Sequence, residues 1–278
     1  MIKIKCFSSF CSSEHCKSVY ERICHSSLIN HYHKNYVFTS DNDYTHAIIL
    51  NTAMPELSIP KENVLGLAFE PYPFLNITNV FIEYAKKYIG RYFIGDCNDL
   101  PSPFIEHFGY MWHSSIQSNI TFKPNLMSIV ISEKKFAPGH IYRHQIVKYI
   151  IENQLPIDIY GYGSKMYNYD RIKGSFQGSE PYENYMFSIC IENFQCNHYF
   201  SEKIIDPMLL NCNPIYLGCE NIDSYLENII HLSGNFQKDM ELIINIIKTP
   251  YFYYKKTYTL KNKNTVNLIH QLPNLFPK

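Results

Sequence analysis

The stretch FSICIENFQCNHYFSEKIIDPMLLNCNPIYLG, residues 187–218, decides the fold of this chain. Its first residues have the apolar pattern of a buried strand, and this strand ends in Glu192 and Asn193. A polar loop follows, and Ser201 is placed to cap the helix that comes next. A second apolar run closes the stretch. A strand, a helix and a strand in this succession predict a parallel βαβ unit.

The helix that Ser201 caps opens with Glu202 and Lys203. A glutamate suits the positive N-terminus of a helix, whereas a lysine adds a cation to the end that favours anions. A bound anion would resolve this mismatch, because a helix N-terminus and a lysine together form a phosphate-binding arrangement. On this helix alone, a solvated lysine behind an ordinary cap is the alternative.

The whole stretch resembles the donor-binding signature of the family 10 glycosyltransferases, the α-1,3-fucosyltransferase family. In that family a strand ends in Glu-Asn, a loop carries a tyrosine, Thr-Glu-Lys opens a helix, and a strand beginning with proline ends in glycine. The matching positions here are Glu192, Asn193, Tyr199, Ser201, Glu202, Lys203, Pro214, Ile215 and Gly218.

Two features of the stretch depart from the family pattern. Residues 211–213, Asn-Cys-Asn, replace the small and aliphatic residues that approach the proline in the family. Pro207 lies inside the predicted helix, where it should kink the helix or shorten its first segment.

A weaker resemblance extends upstream. The family places a strand ending in serine before a helix that carries an arginine, and Ser132 and Arg143 match this order. Arg143 would then be the second cation for a diphosphate, whereas without the resemblance it would be a surface arginine. The family then has a Val-Asp-Val-Tyr-Gly strand and turn, which residues 157–161, Ile-Asp-Ile-Tyr-Gly, match. Our hypothesis is that the loop from Tyr160 through Gly161 and Tyr162 to Gly163 packs against the nucleotide base.

In the first half of the chain, residues 67–71, Leu-Ala-Phe-Glu-Pro, resemble the family segment Phe-Glu-Ser-Pro, whose glutamate is the proposed catalytic base. Glu70 ends an apolar strand, where a parallel sheet presents its active-site groups. A partly desolvated carboxylate there has a raised pKa, which suits a base near neutral pH. The alternative is a strand-end glutamate in solvent.

The resemblance implies an α/β fold of the GT-B type, in which two Rossmann-like domains face a central cleft. We expect an acceptor-side domain over residues 1–125 and a nucleotide-sugar-binding domain over residues 126–278. The implied activity is an inverting transfer of fucose from GDP-fucose to a hydroxyl of a glycan, in α-1,3 linkage and without a metal. Glu70 is the expected base. The expected donor-binding residues are Arg143, Lys203, Glu202, Tyr199, Asn193, Ser201, Tyr160, Gly161 and Tyr162.

Strand and helix patterns along the rest of the chain agree with two α/β halves. We predict strands at 3–7, 36–39, 46–50, 64–69, 92–94, 126–132, 157–160, 187–191 and 214–217. We predict helices at 14–25, 76–88, 141–153, 222–226 and 238–247, besides the one that begins at Glu202. A polar stretch at 114–125 is the predicted linker.

Composition narrows the classes of function. The 278 residues carry no net charge, which argues against a nucleic-acid partner because such binding needs a cationic surface. No apolar run is long enough for a membrane span, and no signal peptide is visible, so we expect a cytoplasmic protein with nine reduced cysteines. A catalytic fragment cut from its anchor is the alternative. A zinc site from Cys11, His15, Cys16 and Cys24 is an alternative, but its spacing matches no common ligand pattern.

Two other functions remain open at this point. Asp41-Asn42-Asp43 fits the Asp-x-Asp pattern that holds a divalent ion in the other major glycosyltransferase fold, although aspartate and asparagine also favour turns on their own account. A degenerate transferase fold that only binds glycans or nucleotides is the non-enzymatic alternative. Glu70, Arg143 and Lys203 occurring together argue against it.

Overall fold

The computed structural model describes residues 1–26, 35–97, 99–113, 122–255 and 265–277. Its two sheets each contain six strands, and the strand pairs within each sheet are parallel. The first sheet contains β1 (Ile2–Ser8), β2 (Tyr36–Thr39), β3 (His46–Leu50), β4 (Val64–Leu67), β5 (Arg91–Ile94) and β6 (Phe104–Glu106). The second contains β7 (Asn125–Val130), β8 (Ile157–Tyr160), β9 (Ile172–Gly174), β10 (Tyr185–Ile191), β11 (Asn213–Leu217) and β12 (Ile230–His231).

Helices lie in several of the connections between strands, since a parallel pair needs a crossover connection and this is usually a helix. They are α1 (Ser13–Ser26), α2 (Tyr72–Leu75), α3 (Asn79–Tyr88), α4 (Pro138–Glu152), α5 (Glu202–Leu209), α6 (Phe236–Lys248), α7 (Pro250–Tyr253) and α8 (Leu268–Leu275). Short 3-10 helices occur at Lys61–Asn63, Tyr162–Met166 and Ile222–Ser224.

The strand orders place two crevices where ligands can bind. The first sheet has the order β2-β1-β3-β4-β5-β6, and the second has the order β9-β8-β7-β10-β11-β12. Each order reverses once, between β1 and β3 and between β7 and β10. Doubly wound sheets bind ligands beyond the carboxyl ends of the strands at such a reversal. The second order is that of the dinucleotide-binding Rossmann fold, so the predicted α/β class is confirmed.

Burial explains why the strands are so apolar. All seven residues of β10 and all five of β11 are buried, because helices cover both faces of a parallel sheet. Helix α1 instead buries one stripe, formed by Cys16, Val19, Tyr20, Ile23 and Cys24. Their spacing of three and four residues puts them on one face of the helix, which packs against the first sheet.

Most predicted elements are confirmed, with differences at their ends. The predicted helix at 76–88 begins three residues later, as α3 at Asn79, because Asn76 has a left-handed backbone (φ 50°) that ends the separate short helix α2. Helix α3 starts after Thr78, whose side chain accepts the N–H of Phe81 at 3.3 Å. Pro207 does lie in a short helix, since α5 ends two residues later at Leu209. Most of the predicted linker at 114–125 lies outside the described residues.

The end of the chain returns to the first sheet. The hydroxyl of Tyr36 donates to the carbonyl of Phe276 at 3.1 Å, and the ring of Phe276 packs edge-on against His46 at 5.0 Å. Arg91 donates to the carbonyl of Leu275. Helix α8 therefore covers the first half of the molecule although it follows the second half in sequence.

Among the described residues, no helix is both long enough and apolar enough to span a lipid bilayer.

A single glycine lets a tyrosine cover the middle of the first sheet. Gly66 in β4 pairs with Tyr92 in β5, and a Cβ atom on Gly66 would lie 2.0 Å from Cδ2 of Tyr92. The Tyr92 ring is fully buried, and its hydroxyl donates to the carbonyl of Asn51 at 2.8 Å. A strand glycine is accepted here because it makes room for that ring.

Replacing Gly66 by alanine should therefore destabilise the fold. We expect Gly66→Ala to lower the free energy of unfolding by about 1–3 kcal/mol, as overpacked cores do. Urea denaturation followed by circular dichroism measures the loss. In a Tyr92→Leu background, Gly66→Ala should lower the free energy of unfolding by less than it does in the wild type. Full additivity of the two changes would contradict this account.

Candidate active site

A cavity of about 740 Å³ lies between the two sheets and takes lining residues from both halves of the chain. Asn51 and Glu70 follow β3 and β4, whereas Ile131 and Asn193 follow β7 and β10. The cavity therefore opens at the carboxyl ends of strands that flank the two order reversals. This is where the topology predicts a ligand.

The N-terminus of α5 is built around a buried glutamate. Glu192 is 1% exposed, and its Oε1 accepts the N–H of Ser201 at 2.8 Å. The Ser201 hydroxyl donates to the same carboxylate at 2.7 Å and accepts the N–H of Lys203 at 3.4 Å. Because a buried charge needs such partners, Glu192 fixes the first turn of α5 against the end of β10.

Lys203 extends from that turn toward the cavity. Its Nζ lies 2.9 Å from the Ser201 hydroxyl, 3.1 Å from Glu202 and 3.4 Å from Glu192. Burial lowers the pKa of Lys203, but Glu202 and Glu192 outweigh burial and hold this pKa above its ordinary value. Lys203 is therefore a fixed cation at the wall of the cavity.

Arg143 supplies a second cation, which projects from α4 and is buried. Its Nη2 donates to Oδ1 of Asn193 at 2.7 Å, and its Nε donates to the carbonyl of Gly139 at 3.2 Å. A Cβ atom on Gly139 would lie 1.7 Å from the carbonyl oxygen of Glu192. Glycine at this position thus lets α4 approach β10 closely enough for Arg143 to reach the cavity.

Glu70 lines the same cavity, on the turn that follows β4. It is half-buried, and burial raises its pKa, with the positive charge of Lys203 acting in the other direction. Burial also raises the pKa of Tyr199, so its phenol stays protonated and contacts Oε2 of Glu70 at 3.5 Å. A carboxylate in this state can accept a proton near neutral pH.

The turn that carries Glu70 is held by Asn51. The Asn51 backbone is left-handed (φ 52°), and its side-chain oxygen accepts the N–H of Phe69 at 2.7 Å. Asparagine tolerates this conformation better than most residues do. The bond fixes the residue next to Glu70 and so limits where the carboxylate can lie.

Three aromatic rings form a wall beside Glu70. The ring of Trp112 packs edge-on against Phe69 at 5.1 Å and against Phe10 at 5.6 Å. All three residues line the cavity, and Phe10 is 49% exposed. Exposed apolar surface inside a cleft suits a ligand that has an apolar face.

The structure brings together nine of the ten site residues expected from the sequence. Those that line the cavity are Glu70, Arg143, Lys203, Glu202, Tyr199, Asn193, Ser201, Gly161 and Tyr162. Tyr160 lies outside the lining: its hydroxyl is 3.0 Å from that of Tyr185, and its ring packs edge-on against Phe176, which does line the cavity. The role of each residue remains a prediction.

Other residues of the site were not expected from the sequence. Glu192 was part of the motif but had no role assigned, because only the folded structure shows that it binds Ser201 and Lys203. His140 and Lys134 also line the cavity. The position of His140 one turn before Arg143 is the signal that could have revealed it.

The Asp-x-Asp segment lies elsewhere. Neither Asp41 nor Asp43 lines the cavity, and the exposed carboxylate of Asp43 pairs with Lys3. Cys11 and Cys16 lie 3.5 Å apart as free thiols. Among the described residues, no group of three or more histidine, cysteine, aspartate or glutamate side chains is placed to hold a metal ion.

Comparisons with known proteins agree on one group. The family model described as glycosyltransferase family 10 (fucosyltransferase), C-terminal part, matches residues 120–270. No curated protein matches the chain in sequence.

Solved structures share the fold. An α1,3-fucosyltransferase with GDP-fucose is 14% identical with a TM-score of 0.57, over 100% of this chain and 91% of that one. Another α1,3-fucosyltransferase structure is 13% identical with a TM-score of 0.57, over 99% of this chain and 88% of that one. An α1,3-fucosyltransferase with GDP is 12% identical with a TM-score of 0.54, over 99% of this chain and 90% of that one. At these identities the likeness shows the fold, and the expected GT-B architecture is confirmed.

Ser201 gives a test of the buried glutamate. Ser201→Ala removes both the cap of α5 and one partner of Glu192, so we expect about 2 kcal/mol less stability. Asn235→Ala removes a cap from α6, where the side chain accepts the N–H of Lys238 at 3.2 Å, and should cost about 1 kcal/mol. Urea denaturation compares the two variants. Equal losses would mean that Glu192 does not depend on Ser201.

Proposed function

The chain belongs to glycosyltransferase family 10, and from that premise we propose that it transfers fucose from GDP-fucose to a glycan hydroxyl. It is a glycosyltransferase. The donor, the α-1,3 linkage and inversion at the anomeric carbon are the proposed details. Similar folds solved with GDP and with GDP-fucose support this choice of donor.

One observation carries the proposal: a half-buried carboxylate, a buried arginine and a partly exposed lysine share one cavity. Glu70 comes from the first half of the chain, whereas Arg143 and Lys203 come from the second. A sugar nucleoside diphosphate needs cations for its phosphates, and its acceptor needs a base. The cavity offers both.

The proposed reaction follows from that arrangement. Glu70 takes the proton of the acceptor hydroxyl, and the oxygen attacks the anomeric carbon from the face opposite the diphosphate. The bond from this carbon to the phosphate oxygen breaks, and GDP leaves with the electron pair. Arg143, Lys203 and the N-terminus of α5 stabilise the charge that develops on the diphosphate, without a metal.

Neighbouring groups orient the donor in this proposal. Tyr199 adds a hydrogen bond to a phosphate, Glu202 and Asn193 hold hydroxyls of the ribose or the sugar, and Gly161 with Tyr162 contacts the base. The ring of Tyr162 is 69% exposed, so it is available to a ligand. Tyr160 acts only through Phe176, since it does not reach the cavity.

The aromatic wall supports a glycan as the acceptor. Phe10, Phe69 and Trp112 lie on the same side of the cavity as Glu70. Sugar rings have an apolar face of C–H groups that packs against aromatic rings, while their hydroxyls need polar partners. An acceptor sugar on this wall would present its hydroxyls toward Glu70.

Removing the base should stop transfer and spare donor binding. We expect Glu70→Gln to lower kcat by about 10²- to 10⁴-fold, the usual contribution of a general base. GDP binding by calorimetry should stay near wild type, because Glu70 does not belong to the cationic side. Glu133→Gln, an exposed carboxylate paired with Lys165, is the matched control. Near-normal turnover by Glu70→Gln would exclude this residue as the base.

The pH dependence of turnover gives an independent test of Glu70. The base must be ionised, and burial raises its pKa, so kcat/KM should fall as pH decreases through a value above the ordinary glutamate range. Because the charge of Lys134 lowers this pKa, Lys134→Met should move the acidic limb to higher pH. An unmoved limb in Lys134→Met would contradict the assignment.

Nucleotide selectivity tests the donor. In the presence of EDTA, GDP should raise the melting temperature of the protein more than UDP or CDP does. Lys203→Met should weaken GDP binding about ten- to hundredfold, as expected for a lost charge-assisted hydrogen bond. Lys86→Met, which changes an exposed lysine on α3 outside the cavity lining, should leave GDP binding near wild type. Stabilisation by UDP only with manganese would instead favour Asp41 and Asp43, and no stabilisation by any nucleotide would favour an inactive binding protein.

A further inference from the structure

Two thiols lie close together next to the aromatic wall of the cavity. Cys11 follows Phe10 in the loop between β1 and α1, and Cys16 lies near the start of α1. Their sulfur atoms are 3.5 Å apart, and both thiols are free. A disulfide joins its sulfur atoms at about 2.05 Å, so this pair has to close by about 1.5 Å to form one.

Hydrogen bonds hold the backbone on both sides of the pair. The hydroxyl of Ser8 accepts the N–H of Phe10 at 3.1 Å and the N–H of Cys11 at 3.3 Å. The carbonyl of Ser12 accepts the N–H of Cys16 at 3.1 Å. Because the fold already orders both backbones, joining the two sulfur atoms costs little further entropy, and each thiol meets the other at a high effective concentration.

The two thiols differ in their access to solvent. The structure describes all nine cysteines, and seven of them, including Cys16, are buried. Cys11 and Cys97 are half-buried. A small oxidant can therefore reach the sulfur of Cys11, whereas Cys16 reacts with a partner inside the protein.

Burial makes Cys16 a slow but lasting partner. It raises the pKa of Cys16 to about 12, and the neighbouring Cys11 acts in the same direction. The thiolate is the nucleophile, so a thiol with this pKa attacks slowly near neutral pH. The same thiol is a poor leaving group, and a disulfide that contains it is therefore attacked slowly by external thiols.

We propose that Cys11 and Cys16 form a reversible disulfide by exchange with a low-molecular-mass disulfide such as oxidised glutathione. The Cys11 thiolate attacks the oxidant, which leaves a mixed disulfide on Cys11 and releases one molecule of thiol. The Cys16 thiolate then attacks the Cys11 sulfur and expels the second molecule of thiol. The protein gives up two electrons and two protons, and the two released thiols take them up.

The disulfide acts on the cavity through Phe10. The ring of Phe10 packs against Phe69 at 6.0 Å and against Trp112 at 5.6 Å, and all three rings line the cavity. Closing the bond draws Cys11 toward α1, and the adjoining Phe10 with it. The cations of the cavity project from α4 and α5, in the other half of the chain. Oxidation therefore changes the aromatic wall and leaves the cationic side as it is.

Mass spectrometry of the native protein, incubated with excess oxidised glutathione, tests the bond. We expect the chain to lose two free thiols and to retain no glutathione on Cys11. Trypsin releases residues 6–17 as one peptide, and a glutamate-specific protease then cuts after Glu14, so only a disulfide keeps Cys16 joined to the fragment with Cys11. Unlinked fragments, or glutathione that stays on Cys11, would overturn the proposal.

Two serine variants identify the thiols that pair. Fragments from Cys97→Ser, which removes the other half-buried thiol, should be linked as in the wild type. Fragments from Cys11→Ser should separate. Cys6 lies on the same fragment as Cys11, so linked fragments from Cys11→Ser would make Cys6 the partner of Cys16 and would overturn the assignment.

Trp112, the only tryptophan of the chain, reports on the aromatic wall. Its fluorescence emission should change when the wild type is oxidised, return with dithiothreitol, and stay the same in Cys11→Ser. GDP affinity, measured by calorimetry with EDTA, should stay within about twofold on oxidation. Unchanged emission would overturn the link to the wall, and weaker GDP binding would overturn its restriction to that side.

The fragment analysis and the emission of Trp112 need no nucleotide. A wild type that binds no GDP in either redox state would therefore remove the proposed function, while these two measurements would still decide on the disulfide.

Discussion

Burial of the Glu192 carboxylate is the constraint on which the rest of the site depends. The side chain has no exposed surface, and such a charge is costly inside a protein unless hydrogen bonds and a counter-charge surround it. The backbone and hydroxyl of Ser201 supply the hydrogen bonds, and Lys203 supplies the counter-charge. One buried group thus decides where α5 begins and where its lysine lies.

The end of β10 also positions Arg143, the second cation of the site. Asn193 follows Glu192 directly, its backbone carbonyl accepts the N–H of Gly139 at 3.1 Å, and its side chain binds Arg143. Two consecutive residues after β10 therefore position one cation from α5 and one from α4. This arrangement needs both helix N-termini to lie close to β10, which the order reversal between β7 and β10 provides.

Sequence reasoning reached most of this fold because the long buried strands and the capped helices have strong local signals. It missed β6, β9 and β12, which have three residues or fewer, because so short a strand shows no periodicity. Sequence reasoning also identified the cavity residues that belong to the recognised sequence motif. The aromatic wall is different, since Phe10, Phe69 and Trp112 come from three distant segments, and their contact exists only after folding.

The return of α8 to the first sheet has a consequence for how the two halves can move. The chain passes from the first half to the second between β6 and β7, and it passes back before α8. Two covalent connections resist separation and sliding of the halves more than a single one would.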